Sequence, residues 1–321
     1  MKAIIHTRYG PPEVAVLKEI PKPTPKANEV LVKVYASTVN RTDAGFRSAE
    51  YFVSRFWSGL LRPKQQTLGS EFAGVVAETG AAVTQFQPGD RVFGYNDETF
   101  GGHAEFLTIA EDKCIATMPA HLDFPQAAAL TEGAHYALND IRASKIQAGQ
   151  SALVYGATGA IGSAAVQILK HMGVRVTAVC NSQHVELVKG LGADRVVDYQ
   201  TQDFTQTEER YELIFDAVGK SSFRVCKRLL QPRGVYVSTE LGKYGANIFL
   251  ALSTPLLGGK KVIFPIPKAD KQDLLYLKEL AEQGAFLPVI DREYTLEQIV
   301  EAYRYVETGQ KTGNVILRIG T

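Results

Sequence analysis

Residues 152–173, ALVYGATGAIGSAAVQILKHMG, decide the fold of this chain. The first four residues predict a buried strand, and from Ile161 onward apolar residues recur at helical spacing. A turn that contains Gly156, Gly159 and Gly162 lies between the strand and the helix. Strand, glycine-rich turn and helix in this order are the context in which a dinucleotide-binding turn occurs.

The glycines of this turn have a physical role in holding a pyrophosphate. A Cβ at Gly159 would obstruct the approach of the phosphates to the backbone, and Gly162 lets the helix lie tightly against the strand. The free N–H groups and the dipole at the start of the helix attract negative charge. An ordinary tight turn is the alternative, which the flanking elements disfavour. The residues predicted to bind a dinucleotide here are Gly156, Ala157, Thr158, Gly159, Ala160, Ile161 and Gly162.

The composition is that of a globular protein with room for two domains. The chain has 321 residues, of which 45% are hydrophobic and 21% charged, and its formal net charge is +1. No dense run of Lys and Arg indicates a nucleic-acid or anionic-membrane surface. Cys114, Cys180 and Cys226 are far apart in the sequence. This spacing disfavours a disulfide framework and a clustered zinc site, and it suits a reducing cytoplasm.

Two stretches bear on targeting and membranes. The first ten residues, MKAIIHTRYG, lack the apolar core of a signal peptide. Residues 246–258, ANIFLALSTPLLG, are the most apolar stretch, but they are too short to span a bilayer and contain Pro255. We therefore expect no membrane span and interpret this stretch as a buried helix or an interface segment.

The first 120 residues predict short strands separated by turns. Residues 29–38, EVLVKVYAST, alternate strongly, with Val30, Val32 and Val34 on one face. Further short strands are expected at residues 2–7, 74–79, 91–94 and 103–109. This pattern is typical of a compact β-barrel-like module.

From residue 151 onward, strands and helices alternate. The predicted strands are residues 152–155, 174–180, 195–199, 212–216, 234–239 and 261–264. Six strands separated by helices or crossovers fit one complete doubly wound α/β sheet. Helices are also predicted at residues 125–138, 183–191, 221–230, 270–284 and 296–308, and a closing strand at 314–318.

The end of the second strand of this sheet indicates the type of cofactor. NAD sites place an Asp or Glu about 20 residues after the glycine turn to bind the ribose 2′-hydroxyl, and here that position is Cys180. Without a carboxylate to repel it, a 2′-phosphate could be bound by Asn181, Ser182 and protonated His184. This favours NADPH, although no Arg is present and a merely solvated loop is the alternative.

Two further loops are expected to line the cofactor crevice, at the carboxyl ends of the fourth and fifth strands. Residues 216–219 include Val218, and residues 238–240 begin with Ser238; their backbone groups are the expected contacts. Asp216 is equally well explained as a residue that caps the end of its strand.

The order of these modules resembles the medium-chain dehydrogenase/reductase superfamily over essentially the whole chain. A strand-rich module comes first, a nucleotide-binding fold follows, and the chain then returns to the first module. Its zinc-dependent alcohol dehydrogenases carry a Cys-x-Thr/Ser-Asp motif and a Gly-His-Glu motif. Here the matching stretches have Asn40 and Ser70 at the Cys and His positions, and residues 128–131 supply no third ligand. These residues are poor zinc ligands, so the chain is similar to the zinc-free branch of quinone oxidoreductases and NADPH-dependent alkenal/enone reductases.

The resemblance implies two domains and further site residues. It implies a GroES-like β-barrel catalytic domain at residues 1–121 and 266–321 and a Rossmann NADPH-binding domain at residues 122–265. Asn40 is then expected to donate a hydrogen bond to a carbonyl or quinone oxygen, and Asp43 to orient its neighbours. Thr131, Tyr199 and Phe264 complete the expected cofactor contacts.

Aromatic residues that follow this motif suit a flat, apolar substrate. Ordinary core packing or a mobile lid is the alternative for each of them. Tyr51 is the one member that could donate a proton to the substrate. The cluster consists of Phe46, Tyr51, Phe52, Phe56 and Trp57.

The function that the sequence favours is an NADPH-dependent, zinc-free reductase. Quinone reduction and reduction of the C=C bond of an α,β-unsaturated carbonyl both fit, with the hydride supplied by the cofactor. A zinc alcohol dehydrogenase and a non-catalytic NADPH-binding protein are the alternatives. We expect a homodimer, with residues 249–257 as the candidate contact, and no nucleic-acid partner.

Overall fold

The computed structural model describes residues 1–50 and 55–320. These residues form two compact units, which are treated separately below. The first unit comprises Met1–Glu132, Ala269–Gln283 and Pro288–Thr321, and the second comprises Gly133–Lys268 and Gly284–Leu287.

The described residues contain the following elements in chain order. The strands are β1 (Lys2–Ile5), β2 (Val16–Glu19), β3 (Glu29–Thr38), β4 (Glu71–Thr79), β5 (Arg91–Tyr95), β6 (Phe106–Ala110), β7 (Ile115–Thr117), β8 (Ser151–Tyr155), β9 (Arg175–Cys180), β10 (Arg195–Asp198), β11 (Tyr211–Asp216), β12 (Leu230–Ser238), β13 (Lys261–Ile263), β14 (Ile290–Thr295) and β15 (Asn314–Arg318). The α-helices are α1 (Arg41–Ser48), α2 (Arg55–Ser58), α3 (Phe124–Ala128), α4 (Glu132–Ser144), α5 (Ala160–His171), α6 (Val185–Gly190), α7 (Phe223–Cys226), α8 (Ala246–Leu257), α9 (Lys271–Glu282) and α10 (Ile299–Glu307).

The first unit is organised around the long strand β3. On one side β3 pairs antiparallel with β4; on the other, its first half pairs with β6 and its last three residues pair with β15. Because side chains alternate along a strand, Val30, Val32 and Val34 all enter one core, where they pack with Phe72 and Val92. The strand predicted for residues 29–38 is confirmed, but burial does not alternate along it, because Leu31 and Ser37 on the opposite face are also buried.

A second core of the first unit lies between its helices and β15. Ala302, Tyr303 and Val306 of α10 are fully buried and pack with Ala44 of α1 and with Val315. Their spacing of three and four residues puts them on one face of the helix. This packing fixes α1, whose first residues follow Asn40.

The second unit is built on a six-stranded parallel sheet. Its strand order is β10-β9-β8-β11-β12-β13, so the chain starts in the middle and reverses direction between β8 and β11. This is the order of a doubly wound sheet, in which ligands bind outside the carboxyl ends of the strands near the reversal. The predicted fold class is confirmed in both parts of the chain.

The structure corrects several predicted elements. The helix predicted over residues 125–138 is two helices, α3 and α4, because Asp123 and Gln126 form a capping box that begins a short helix ending near Ala129. The helix predicted over residues 221–230 is the single turn α7 followed by a 3₁₀ turn. The sequence did not predict β2 and β14, which have no fully buried residue, or β7 and α2, which have only three and four residues. It also did not predict α1, which contains a glycine and several polar residues.

The glycine turn is held by close backbone packing. A Cβ added at Gly162 would overlap the carbonyl group of Gly156, and Gly156 itself has φ +83°, a conformation that favours glycine. Gly162 therefore allows the first turn of α5 to lie directly against the end of β8, as the sequence predicts.

We expect Gly162→Ala to destabilise the second unit by about 1–3 kcal/mol, because the added methyl group must displace backbone rather than a flexible side chain. Denaturant unfolding measures the change. The matched control is Gly190→Ala at the exposed end of α6, where a Cβ meets no atom within 4 Å. That variant should be neutral or stabilised by about 0.4–1 kcal/mol. Equal stability of the two variants would contradict the packing argument.

Candidate functional site

The glycine turn of the second unit has the geometry of an anion-binding helix start. Gly159 is the N-cap of α5 and has no side chain to occupy the first-turn N–H groups of the helix. A Cβ added at Gly159 would meet no protein atom closer than 3.9 Å, so protein packing does not require glycine there. Glycine at position 159 is explained if a phosphate group occupies the space that a Cβ would fill.

The residues after β9 form a hydrogen-bonded turn. The side chain of Asn181 is bonded to the ring of His184, and the backbone N–H of Ser182 donates to Gln200 Oε1 over 3.1 Å. Tyr199, which follows β10, is exposed, and its N–H donates to the carbonyl oxygen of Cys180. Asn181, Ser182 and His184 are thus brought together next to Tyr199, and their binding of the cofactor stays a prediction.

The structure also corrects the expectation that no carboxylate lies near the end of β9. The sequence around Cys180 contains no carboxylate, but β10 runs beside β9 and places Asp198 directly opposite Cys180. Ser182 Oγ donates to Asp198 Oδ2 over 2.5 Å. The Ser182 hydroxyl and the Gln200 N–H hold the pKa of Asp198 below its ordinary value, so the group is ionised at neutral pH. No carboxylate is adjacent to the end of β9 in the sequence, but the carboxylate of Asp198 lies beside it in the folded chain.

The loops after β11 and β12 lie beside the glycine turn. Val218 approaches Gly156 so closely that a Cβ added there would be 2.5 Å from Val218 Cγ1. Asp216 is buried and accepts hydrogen bonds from the N–H groups of Gly219 and Ser221 at 2.8 and 3.0 Å. Asp216 therefore caps the end of its strand, and the contact of this loop with the cofactor stays a prediction. Ser238 is buried opposite Asp216, and Phe264 follows the edge strand β13.

In the first unit, Asn40 lies in a buried polar cluster. It is the N-cap of α1, where its Oδ1 accepts from Asp43 N over 2.8 Å. Its Nδ2 donates to Ser70 Oγ at 2.9 Å and, over a longer 3.4 Å, to Thr38 Oγ1. The two positions that resemble zinc ligands are thus an amide and a hydroxyl bonded to each other. This donor set does not fit zinc, which prefers Cys, His and carboxylate ligands.

The centre of this cluster is the carboxylate of Glu71, which is fully buried. Glu71 Oε1 accepts from Thr131 Oγ1 at 2.6 Å and from Glu132 N at 2.5 Å, while Oε2 accepts from Thr38 Oγ1. These donors compensate for burial, which raises the pKa of Glu71. Thr131 therefore binds Glu71 within the first unit, and its expected cofactor contact stays a prediction.

A second carboxyl group, Glu132, lies beside the first. Its Oε1 accepts a hydrogen bond from Thr42 Oγ1 over 2.6 Å. Burial and the neighbouring Glu71 raise the pKa of Glu132 to about 7, whereas Lys311 acts in the opposite direction. The sequence analysis missed Glu132; its signal was an acidic residue between apolar helix positions, directly after Thr131.

Asp43 has the surroundings of a positioning residue. It is fully buried, and its Oδ1 accepts from Gly69 N over 3.1 Å, which fixes a glycine at φ +92°. Burial and the nearby Glu132 raise the pKa of Asp43 well above its ordinary value. His103 lies 3.7 Å away, and burial lowers the pKa of its ring to about 4, so the ring is neutral at pH 7.

The structure describes only part of the aromatic cluster. Phe46 packs edge-on against Phe100 at 5.0 Å between ring centres, and Phe56 is 68% exposed. Both Phe46 and Phe100 line a cavity of about 430 Å³ together with Leu68 and His6. Tyr51 and Phe52 lie outside the described residues, and so does the side chain of Trp57.

Residues 1–50 and 55–320 offer neither a clustered metal site nor a membrane-spanning helix. They contain no group of three or more His, Cys, Asp or Glu side chains arranged to hold a metal ion. Within the same residues, none of the helices combines the length and the apolar character that crossing a membrane requires.

Comparison with known proteins gives consistent matches. The family model of the alcohol dehydrogenase GroES-like domain matches residues 26–120, and that of the zinc-binding dehydrogenases matches residues 191–317. The NADPH-dependent alkenal/one oxidoreductase of Arabidopsis thaliana is 30% identical over 329 residues, which cover 99% of this chain and 79% of that protein.

Two further matches cover nearly the full length of both chains. The quinone oxidoreductase of Homo sapiens is 30% identical over 339 residues, which are 99% of this chain and 97% of that protein. The solved structure of the quinone oxidoreductase from Coxiella burnetii has a TM-score of 0.87, with 26% identity and 99% of each chain covered.

Glu132 should make the stability of the protein depend on pH. Its folded-state pKa of about 7 is above the ordinary value of 4.5, so the folded protein binds this proton more tightly than the unfolded chain. This contribution is complete below pH 4.5 and is lost as pH rises toward 7. The difference in unfolding free energy between the wild type and Glu132→Gln should therefore fall across that range, as measured by urea unfolding.

The control for this experiment is Glu78→Gln, which removes an exposed carboxylate paired with Lys22. Its difference from the wild type should stay nearly constant between pH 4.5 and 7. A Glu132→Gln difference that is equally constant would show that Glu132 titrates normally.

Proposed function

The chain belongs to the medium-chain dehydrogenase/reductase superfamily, in its branch of quinone oxidoreductases and alkenal/one oxidoreductases, and we propose that it is a zinc-free NADPH-dependent reductase of quinones or enones. The observation that carries this proposal is the glycine turn at the start of α5, within a chain that matches these reductases over nearly its whole length. The fully buried amide–hydroxyl pair of Asn40 and Ser70 supports the zinc-free assignment.

A nicotinamide dinucleotide is the cofactor of this branch, and NADPH is the form that we propose. Support comes from Asn181 and His184, which are bonded to each other after β9, and from the name of the Arabidopsis thaliana relative. The expected contacts of the phosphates are the residues of the glycine turn, and Val218, Ser238, Tyr199, Thr131 and Phe264 remain proposed contacts along the cofactor. The bound nicotinamide supplies the hydride.

Asn40 is the residue that we propose to stabilise the oxygen of the substrate as negative charge develops on it. One N–H of its amide is bonded to Ser70 at 2.9 Å, and the amide also makes a 3.4 Å contact with Thr38 and interacts with the carboxylate of Glu71. In the proposed role, one of these N–H groups turns from its present acceptors to the substrate oxygen. Asp43 would act indirectly, by fixing Gly69 and α1, and Tyr51 remains the proposed proton donor.

Asn40→Ser tests this role without removing the cap of α1. Serine is also a good N-cap residue, so the variant should keep the helix while losing the amide donor. We expect kcat for an enone to fall about 10²-fold, as for removal of one oxyanion donor, with the Kd for NADPH nearly unchanged. Steady-state kinetics and NADPH titration measure the two effects.

Asn28→Ala, at an exposed position of the same unit, is the control and should leave kcat unchanged. Full turnover in the Asn40→Ser variant would remove Asn40 from the mechanism.

A panel of quinones and enones tests the proposed activity as a whole. Oxidation of NADPH that depends on one of these substrates is the expected result. Tight binding of NADPH with no turnover of any member would instead favour a non-catalytic NADPH-binding protein. Stoichiometric zinc in the purified protein, with oxidation of alcohols, would favour a zinc alcohol dehydrogenase.

We further propose that the chain forms a homodimer through α8 and the neighbouring edge of the sheet. The helix predicted from the apolar stretch at residues 246–258 is present, and Phe249, Leu252, Leu256 and Leu257 on it are 71–87% exposed. The strand β13 next to it ends the sheet and pairs only with β12 among the described residues. An apolar helix beside an unpaired strand edge is typical of a surface that another chain covers.

Leu252→Asp should shift this dimer to a monomer in light-scattering chromatography. A charge placed in the interface should raise the dimer dissociation constant at least tenfold, since it must be desolvated on association. Leu250 is less suitable for this test because it packs against the core of the second unit. Leu275→Asp on α9 is the control. A wild-type monomer, or an unchanged Leu252→Asp dimer, would contradict this interface.

We propose a cytoplasmic location because of the state of the three cysteines. Cys114, Cys180 and Cys226 are all free thiols and buried. Burial raises the pKa of each thiol to about 11, so the reactive thiolate form is scarce. Unpaired thiols of this kind suit a reducing compartment.

A further inference from the structure

The turn after β9 and the end of β10 form one hydrogen-bonded unit around Asp198. One carboxylate oxygen accepts from Ser182 Oγ at 2.5 Å, and the other accepts from Gln200 N at 3.0 Å. Gln200 in turn accepts from the N–H of Ser182 over 3.1 Å. The carboxylate therefore directs the hydroxyl proton of Ser182 toward itself and lies at the position where the 2′ substituent of an adenosine ribose is expected.

Three basic side chains on the elements around β9 and β10 are paired with other acids. Lys189 of α6 pairs with Glu186, and Arg195 of β10 pairs with Glu209. Lys170 of α5 pairs with Asp194. Apart from His184, the described side chains that bond within this turn are neutral or, at Asp198, anionic. A 2′-phosphate bound by Ser182 would thus be close to a carboxylate that forms no ion pair with any residue in the described part of the chain.

We infer that Asp198 is a specificity-determining residue, which limits the preference of this protein for 2′-phosphorylated over unphosphorylated adenine nucleotides. The inference rests on the proposed binding of a nicotinamide dinucleotide along the carboxyl edge of the second unit's sheet. Two effects act together. The charge of Asp198 repels a 2′-phosphate. Its oxygen also accepts the hydrogen bond from the Ser182 hydroxyl that the phosphate would otherwise accept. The preference for NADPH over NADH is consequently smaller than it would be without this carboxylate.

Asp198→Asn tests these effects without disturbing the fold. Asparagine has the same shape and retains an oxygen that can accept from Ser182, but it carries no charge. The probes are adenosine 2′,5′-bisphosphate and 5′-AMP, which differ only in the 2′-phosphate and need no turnover. We expect the ratio of their affinities, measured calorimetrically, to shift about fivefold or more toward the bisphosphate in the variant. The shift should shrink as salt is added.

Asp203→Asn is the matched control. Asp203 is an exposed carboxylate in the loop that follows β10, and it bonds to Thr205 rather than to the β9 turn. Its removal changes the net charge by the same amount, so it should leave the affinity ratio within about twofold if distance decides the effect.

Ser182→Ala gives a second, independent readout. In the wild type, Ser182 donates to Asp198, so its loss should change bisphosphate binding little. In the Asp198→Asn background a neutral amide oxygen holds this proton less strongly than a carboxylate does, so the hydroxyl can turn to the phosphate, and its loss should then cost several-fold. Such non-additivity identifies a direct coupling between the two residues.

An affinity ratio that is unchanged or falls in Asp198→Asn would overturn the inference, and so would equal effects of Asp198→Asn and Asp203→Asn. Failure of the bisphosphate and 5′-AMP to bind any of these proteins would overturn it together with the proposed cofactor. A protein that binds both probes with the expected shift, but reduces neither quinones nor enones, would support this inference while contradicting the proposed activity.

Discussion

The close approach of α5 to the end of β8 is the constraint on which the nucleotide-binding unit depends. The helix can begin there only because Gly162 leaves the carbonyl of Gly156 uncovered, and Gly156 can turn the chain only through a positive φ. Once the helix starts at that point, its unpaired N–H groups and its dipole face the carboxyl edge of the sheet. The residues after β9, β11 and β12 reach the same edge because the strands are parallel.

A different interaction organises the first unit. Glu71 is a buried carboxylate satisfied by two threonine hydroxyls and one backbone N–H. With Cys at position 40 and His at position 70, a bound cation would partly neutralise the charge of Glu71. Here hydroxyls, an amide and the nearby Lys311 take the place of that cation. The electrostatic balance that remains is between two carboxyls and hydrogen-bond donors. This balance explains why the second of them, Glu132, has a strongly raised pKa.

Much of the fold could be predicted from the sequence because its main elements have strong local signals. Strand β3 alternates over ten residues, and β15 is a short apolar run after a glycine. The glycine turn was identified for the same reason. Strand β2 and helix α1 were missed, since β2 is mostly exposed and α1 contains a glycine and several polar residues.

The candidate site was less predictable because its contacts join residues far apart in the chain. Asn181, Ser182 and His184 are sequence neighbours, and their proximity followed directly. Asp198 is separated from Ser182 by a helix, so only the parallel pairing of β9 and β10 reveals that they touch. Likewise, the bond between Thr42 and Glu132 spans 90 residues, and no local pattern indicates it.

The central claim is that the chain passes a hydride from a bound nicotinamide directly to a carbon of its substrate. Incubation of the protein with an α,β-unsaturated ketone and NADPH deuterated at one face of C4 tests it most directly. The account predicts that label from one face alone appears in the saturated product at the β-carbon, while the hydrogen added at the α-carbon comes from water. Saturated product without deuterium from either labelled form would contradict it, and so would the absence of saturated product from any enone together with no oxidation of NADPH by any quinone.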